Sequence, residues 1–184
     1  MSVSNEPLSR QLGRLAFIAL LILATILVIY YFDKEDEEVR HGPGERITAA
    51  DGDTLQVGDT KYRLYGIDAP ELHQNCAEAD GKSWACGRAA QKRLKDLTGR
   101  GPVTCTTRAH DRFNRVVAVC RTDSVPDLGE SLVREGLAIN LGGRTAGPYE
   151  SIEREAQAAK RGIWQGRFER PSAWRQAHPR ADDD

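Results

Sequence analysis

The stretch Ala49–Glu71 limits the fold more than any other part of the chain. Three short apolar runs in and beside it have the length and composition of β-strands, namely Ile47–Ala50, Leu55–Val57 and Tyr62–Ile67. Aspartate and glycine residues separate the runs, as hairpin turns require. The pattern predicts strands joined by tight turns, with acidic residues at the strand ends. Side chains at neighbouring strand ends can converge on one point.

This stretch is also rich in charged groups. It contains one arginine, Arg63, and five carboxylates, namely Asp51, Asp53, Asp59, Asp68 and Glu71. Such a cluster of oxygen ligands without histidine or cysteine favours a hard cation such as Ca²⁺ or Mg²⁺ over zinc. Each acid taken singly is more often a turn or surface residue than a ligand, so the hypothesis depends on the cluster.

Further elements follow along the chain. Helices are predicted at Ser83–Leu97, Pro126–Glu135 and Pro148–Trp164, and two more strands at Val103–Arg108 and Val116–Arg121. Gly136 is the predicted C-terminal stop of the second helix. Five short strands with an interposed helix are typical of a small closed barrel of the OB type, which binds nucleic acid or sugars on one face. The expected fold class is α+β, a five-stranded OB-fold barrel with three helices behind a single transmembrane helix.

The N-terminal apolar run Leu15–Phe32 contains 18 residues without a charge. At about 1.5 Å per residue, a helix of this length spans roughly 27 Å, just enough to cross a bilayer. Arg10 and Arg14 precede the run and acidic residues follow it, which predicts a cytoplasmic N-terminus and a periplasmic or extracellular C-terminal domain. A cleaved signal peptide is the alternative, but bulky residues at Ile29–Phe32 offer no small-x-small cleavage site, so a single-pass anchor is favoured.

These features divide the chain into five parts. They are a cytoplasmic tail (1–14), the anchor (15–32), a charged linker (33–45), the barrel domain (46–164) and a polar C-terminal extension (165–184). From residue 46 onward the chain has 22 Lys and Arg against 20 Asp and Glu residues, a mild positive balance that permits a nucleic-acid partner without requiring one.

The four cysteines follow the anchor and allow three pairings. Pairing of neighbours, Cys76 with Cys86 and Cys105 with Cys120, is the natural expectation. The second pair would join two adjacent strands and close a loop of about 15 residues, worth roughly 3 kcal/mol in the chain-entropy model. A zinc site is the alternative, although the spacings are not those of zinc knuckles. Two disulfides agree with an oxidising compartment outside the cytoplasm.

Five separated motifs resemble the staphylococcal nuclease (thermonuclease) family. They are D-G-D-T at Asp51–Thr54, Y-R-L-Y-G-I-D-A-P-E at Tyr62–Glu71, D-R-F-N-R at Asp111–Arg115, L-V-R-E-G-L-A at Leu132–Ala138 and E-R-E-A-Q-A-A-K-R-G-I-W at Glu153–Trp164. They occur in the family's order between about Arg46 and Trp164. The resemblance implies an OB-fold barrel and a Ca²⁺-dependent phosphodiesterase that acts on DNA and RNA.

The resemblance also implies roles for individual residues. Asp53 and Asp68 match the carboxylate ligands of Ca²⁺, the backbone carbonyl of Ala69 matches a third ligand, and Asp51 matches an outer-shell carboxylate. Glu71 matches the general base, and Arg63 and Arg115 match the two phosphate-binding arginines. We expect a monomer. The alternative from another class is a catalytically inactive OB-fold module that only binds nucleic acid or protein.

Overall fold

The computed structural model describes residues 8–33, 37–42, 44–99, 101–142 and 146–179. The chain forms two compact units, Met1–Glu37 and Glu38–Asp184. Parts of four predicted segments lie outside the described residues, namely 1–7 of the tail, 34–36 and 43 of the linker, 100 and 143–145 of the barrel domain, and 180–184 of the extension.

The N-terminal unit contains one helix, α1 (Leu8–Asp33), which starts before the predicted anchor. Its segment Leu12–Ile29 is long and apolar enough to cross a membrane, and the large apolar side chains along this segment are exposed. A signal sequence near the N-terminus would have a similar length and composition. The helix is therefore compatible with either a membrane anchor or a signal sequence.

The second unit is built on three β-sheets. Its strands are β1 (Glu38–His41), β2 (Ile47–Ala49), β3 (Thr54–Val57), β4 (Thr60–Leu64), β5 (Ile67–Asp68), β6 (Cys76–Ala77), β7 (Ser83–Trp84), β8 (Val103–His110), β9 (Val116–Thr122) and β10 (Ile139–Asn140). The main sheet has the order β1-β8-β9-β4-β3-β2, and β5–β10 and β6–β7 form two small pairs. The β4–β9 pair is parallel and every other pair is antiparallel.

The first strand of this sheet was not expected. The charged segment Asp33–Glu45 was predicted as a linker, but β1 within it pairs with β8 and adds a sixth strand to the main sheet. The charges of β1 are paired across the sheet, Glu38 with Arg121 at 3.0 Å and Arg40 with Asp123 at 3.4 Å. The linker prediction was wrong here because backbone pairing with a long neighbouring strand outweighs the polar composition of the segment.

The helices of this unit are α2 (Cys86–Thr98), α3 (Leu128–Arg134), α4 (Glu150–Ala158) and α5 (Pro171–Ala177). The first three lie within the predicted helical segments, allowing for a residue at one end, and with the barrel they confirm the predicted α+β OB-type fold. Most fully buried side chains from strands and helices form one main core, including Leu55 of β3, Leu64 of β4, Leu94 of α2 and Leu132 of α3, and a smaller cluster contains Ile139 and Ile163.

The third predicted helix is shorter than expected. It ends at Ala158, and a separate 3₁₀ turn follows at Gly162–Gln165. Lys160 and Gly162 both have a positive φ of 52°, which a continuous right-handed helix cannot contain. The apolar spacing that predicted one helix up to Trp164 therefore joins two elements. The helix packs on the main core through Ile152, and the 3₁₀ turn packs on a second apolar cluster through Ile163.

The start of α3 is fixed by one aspartate. Asp127 caps the helix because its Oδ1 accepts the N–H of Glu130 at 3.0 Å. Its Oδ2 accepts the hydroxyl of Tyr149 at 2.7 Å, which ties α3 to the residue preceding α4. At the other end, Gly136 has a φ of 69°, and a Cβ there would lie 2.2 Å from the Arg161 carbonyl oxygen. The predicted glycine stop of this helix is thereby confirmed.

Both predicted disulfides are present. Cys76–Cys86 joins β6 to the first residue of α2, with 5.7 Å between the Cα atoms. Cys105–Cys120 joins directly paired residues of β8 and β9. Among the described residues no cysteine is free, so no cysteine remains to bind zinc.

Reduction should destabilise the second unit. We expect loss of Cys105–Cys120 to lower the free energy of unfolding by about 3 kcal/mol, because the unfolded chain regains the entropy of an open loop. Denaturant unfolding of the oxidised and reduced full-length protein in detergent measures the loss of both disulfides together, and comparison with the Cys105→Ser/Cys120→Ser variant gives the share of Cys105–Cys120. The Cys105→Ser/Cys120→Ser variant serves as control, since reduction should cost it less than the wild type. An unchanged midpoint in reduced wild type would contradict the prediction.

Candidate functional site

Strand ends bring two carboxylates and one arginine together. Asp53 precedes β3, Arg63 lies in β4 and Asp68 ends β5. Because Thr54 pairs with Arg63, Asp53 lies beside that arginine, and the Leu64 N–H donates to the Asp53 carbonyl oxygen at 2.8 Å. The expected convergence of strand-end aspartates is present, since both share Arg63 as a partner.

The Arg63 guanidinium bridges the two buried carboxylates. Its Nη1 donates to Asp53 Oδ1, and its Nη2 donates to Asp68 Oδ1 at 2.9 Å. The side chains of Asp53 and Asp68 are only 3% and 1% exposed. Burial alone would lower the pKa of Arg63, but the two carboxylates raise it overall. The arginine therefore remains charged and fixed in the site.

The surroundings of Asp53 favour additional positive charge. Burial raises the pKa of Asp53 to about 7. Arg63 and the Ala69 N–H, which donates to Asp53 Oδ2 at 2.8 Å, oppose that rise in the pKa, while the carboxylates of Asp51 and Asp68 add to it. A cation beside these oxygens would stabilise the ionised form.

Asp51 and Ala69 flank this cluster. Asp51 Oδ1 accepts the Asp53 N–H at 3.0 Å, which closes the turn before β3. Ala69 is buried, and its peptide group is held by Asp53 through the hydrogen bond above. Both residues thus lie next to Asp53.

Glu71 lies in a loop whose backbone is held by Gln74. The Glu71 N–H donates to Gln74 Oε1 at 3.1 Å, and the Gln74 N–H donates to the Glu71 carbonyl oxygen at 2.7 Å. Gly87 of α2 approaches so closely that a Cβ there would lie 1.7 Å from this same carbonyl oxygen. The position of Glu71 therefore depends on the absence of a side chain at residue 87.

A second arginine, which the sequence analysis missed, joins Glu71 to the cluster. Arg175 of α5 donates through Nη1 to Asp68 Oδ1 at 2.9 Å and to Glu71 Oε1 at 2.7 Å, and through Nη2 to Asp68 Oδ2 at 3.2 Å. Burial would lower the pKa of Arg175, but these hydrogen bonds to Asp68 and Glu71 raise it overall. The carboxylates and guanidinium groups alternate along the site, in the order Asp53, Arg63, Asp68, Arg175 and Glu71.

The C-terminal segment is consequently more than the expected polar extension. Pro171 at the first position of α5 is a recognisable helix-start signal, so the helix itself could have been predicted. Its contact with the site could not, because Arg175 lies 104 residues from Glu71 along the chain and belongs to no motif.

Arg115 lies at the entrance to β9 and has a different partner. The next residue, Val116, pairs with Tyr62 in the parallel β4–β9 pair, so the backbone of Arg115 runs near that of β4. Its side chain turns to Asp111, with Arg115 Nε donating to Asp111 Oδ2 at 2.6 Å. Burial alone would raise the pKa of Asp111, but the Arg115 N–H groups lower it overall. Arg115 is thus held by its own loop rather than by the acidic cluster.

The donor chemistry of the site fits a hard cation. Across the described ranges, no three side chains of His, Cys, Asp and Glu are grouped closely enough to hold a metal ion. The predicted set instead combines two carboxylates, Asp53 and Asp68, with the backbone carbonyl of Ala69, which leaves other positions to water. Asp53 and Asp68 are the two buried carboxylates from which that set would be built.

The fold and the site together define an OB-fold protein with buried acids and arginines at the strand ends. The chain belongs to the staphylococcal nuclease family, because residues 61–166 match the family described as "Staphylococcal nuclease homologue". This region includes Arg63, Asp68, Glu71 and Arg115, but it ends before α5.

Three relatives illustrate the family. The chain is 30% identical to "Micrococcal nuclease" of Shigella flexneri over 75% of its own length and 83% of the relative. It is 30% identical to "Uncharacterized endonuclease" of Haemophilus influenzae over 70% of each chain. It is 29% identical to "Succinoglycan biosynthesis protein ExoI" of Rhizobium meliloti over 68% of its own length and 66% of that protein. Two of these relatives carry nuclease names.

Substitution of Gly87 should disturb the loop that carries Glu71. We expect Gly87→Ala to lower the free energy of unfolding by about 1–3 kcal/mol, because the added Cβ overlaps the Glu71 carbonyl oxygen. Thermal and denaturant unfolding measure the change. Gly44→Ala is the matched control, since a Cβ at Gly44 meets nothing within 4 Å. Equal stability of the two variants would contradict the close approach.

Proposed function

We propose that the protein is a membrane-anchored nuclease that hydrolyses phosphodiester bonds of DNA and RNA with Ca²⁺. The observation that carries the proposal is the buried bridge of Arg63 between Asp53 and Asp68, next to Glu71, in a chain of the staphylococcal nuclease family. Paired buried acids and arginines of this kind suit an anionic substrate and a divalent cation.

Asp53 and Asp68 would hold the Ca²⁺ ion directly, together with the carbonyl oxygen of Ala69. Asp51, which closes the turn beside Asp53, would bind a water molecule of the outer shell. When bound, Ca²⁺ supplies positive charge that neutralises the phosphodiester and stabilises charge in the transition state.

The two predicted arginines bind the phosphate group. Arg63 is oriented by Asp53 and Asp68, so its planar guanidinium does not have to be ordered when the substrate binds. Arg115 uses Nε to bind Asp111, and its terminal nitrogens Nη1 and Nη2 are the pair that forms a fork on phosphate oxygens. Lysine offers no such fork, and both positions therefore favour arginine.

Glu71 acts as the general base. Its carboxylate accepts the proton of the attacking water molecule, a role worth typically about 10²–10⁴-fold in rate. The loop held by Gln74 and Gly87 fixes the backbone of Glu71 beside Asp68, which keeps the base close to the phosphate-binding groups.

The N-terminal helix anchors this domain on the outer side of the membrane. The arginines before the apolar segment and the acids after it support that orientation. The two disulfides of the second unit support it independently, since disulfides persist in oxidising compartments.

Cleavage should require the cation. We expect full-length protein in detergent to cleave single-stranded DNA and RNA with Ca²⁺, to lose this activity with a chelator, and to regain it when excess Ca²⁺ is restored. Gel analysis of end-labelled oligonucleotides measures the products. Binding of the oligonucleotides without any Ca²⁺-dependent cleavage would instead identify the inactive binding module.

Loss of the Glu71 carboxylate should affect rate rather than fold. We expect Glu71→Gln to lower kcat by at least about 10²-fold, because the amide cannot accept the proton. The matched control is Glu78→Gln, which makes the same change of charge in the same region of the chain. Single-turnover cleavage rates and unfolding curves compare the variants. Wild-type rates in Glu71→Gln would exclude it as the base.

A further inference from the structure

Arg175 is placed at the site by a part of the chain that the family match does not include. The match ends at residue 166, whereas α5 spans Pro171–Ala177. Pro171 is buried, so α5 starts packed on the domain even though most of its side chains are partly or fully exposed. The contact of Arg175 with the acids is therefore made by a segment outside the matched region.

The contacts of Arg175 link two groups with different proposed roles. Its Nη1 lies 2.9 Å from an oxygen of Asp68 and 2.7 Å from an oxygen of Glu71. Nη2 holds the other Asp68 oxygen at 3.2 Å, so one guanidinium fixes the distance between the two carboxylates. The Glu71 and Asp68 side chains are 10% and 1% exposed, whereas that of Arg175 is 41% exposed. The arginine thus covers the buried acids from the solvent side.

A buried amide makes a second link between the same two segments. Gln74 is fully buried; its Oε1 accepts the Glu71 N–H, and its Nε2 donates to the Glu169 carbonyl oxygen at 2.7 Å. Glu169 lies two residues before α5, so the backbone of Glu71 and the start of α5 are held by one side chain. Because Gln74 fixes the backbone and Arg175 fixes the carboxylate, the C-terminal segment determines where the Glu71 side chain lies.

We propose that Arg175 is a positioning residue that holds the Glu71 carboxylate beside Asp68. The inference rests on the proposed function, in which Glu71 is the base and Asp68 a cation ligand. Arg175 acts through these two acids, and its planar fork suits the task because it reaches both of them at once. A lysine at this position could offer only a single ammonium group.

Two alternative roles of Arg175 predict different effects of its loss on the cleavage rate. If Arg175 were a purely structural ion pair, its loss would change stability and leave the rate per folded molecule unchanged. If it instead blocked the cation by occupying both oxygens of Asp68, its loss would tighten Ca²⁺ binding and raise the rate. A positioning role predicts a lower kcat, because the base is no longer held at its place.

The test uses Arg175→Gln and Arg175→Lys in the full-length protein in detergent. Arg170→Gln is the matched control, since Arg170 is exposed and carries the same charge in the same segment. We expect kcat on single-stranded DNA with Ca²⁺ to fall about 10–100-fold in Arg175→Gln, with KM nearly unchanged, and to recover in part in Arg175→Lys. Calorimetric titration with Ca²⁺ identifies the blocking role, in which tighter binding is accompanied by a higher kcat. Unfolding curves verify that each variant is folded.

A readout without catalysis separates this inference from the proposed function. Carbodiimide labelling of Glu71, followed by mass spectrometry without metal or substrate, should be several-fold faster in Arg175→Gln than in wild type or Arg170→Gln. Faster labelling together with an inactive wild type would overturn the nuclease proposal and keep Arg175 as the group that positions Glu71. Unchanged labelling, a wild-type or higher kcat in Arg175→Gln, or an equal loss in Arg170→Gln would each overturn the inference.

Discussion

The pairing of buried carboxylates with Arg63 is the interaction on which the site depends. Removing charged groups from water is costly unless a partner of opposite charge and sufficient hydrogen bonds compensate. Asp53 and Asp68 are both almost fully buried, and Arg63 lies between them. Three short strands are required to bring these groups together, so the local fold of β3, β4 and β5 and the charge balance of the site stabilise each other.

The remaining charged groups are arranged around that bridge in two different ways. Glu71 is held from both sides, by Gln74 and Gly87 at its backbone and by Arg175 at its carboxylate. Arg115 is held by the loop between β8 and β9 through Asp111. Movement of Arg115 would therefore break no contact among the buried acids, whereas Arg63 cannot move without leaving buried charge uncompensated.

Local sequence signals predicted the elements that depend on local chemistry. Hairpin turns and apolar runs identified β2 to β4, and a glycine identified the end of α3 at Gly136. Prediction failed where a distant partner decides the structure. The polar sequence of β1 is typical of a linker, and only its pairing with β8 makes it a strand. Arg175 is distinguished from other polar residues only by its contacts with Asp68 and Glu71. The prediction of one continuous third helix was wrong because the apolar spacing extends through Lys160, where the backbone adopts a left-handed conformation.

The ion-paired strand β1 affects the tendency of the main sheet to pair with strands of other molecules. In the main sheet β1 is a terminal strand, and terminal strands present unpaired backbone groups that can recruit a strand from another molecule. Here the strand is only four residues long, and it carries Glu38 and Arg40, each engaged with a charge of β9 or the turn after it. Short length and alternating charge make this edge of the sheet a poor template for aggregation.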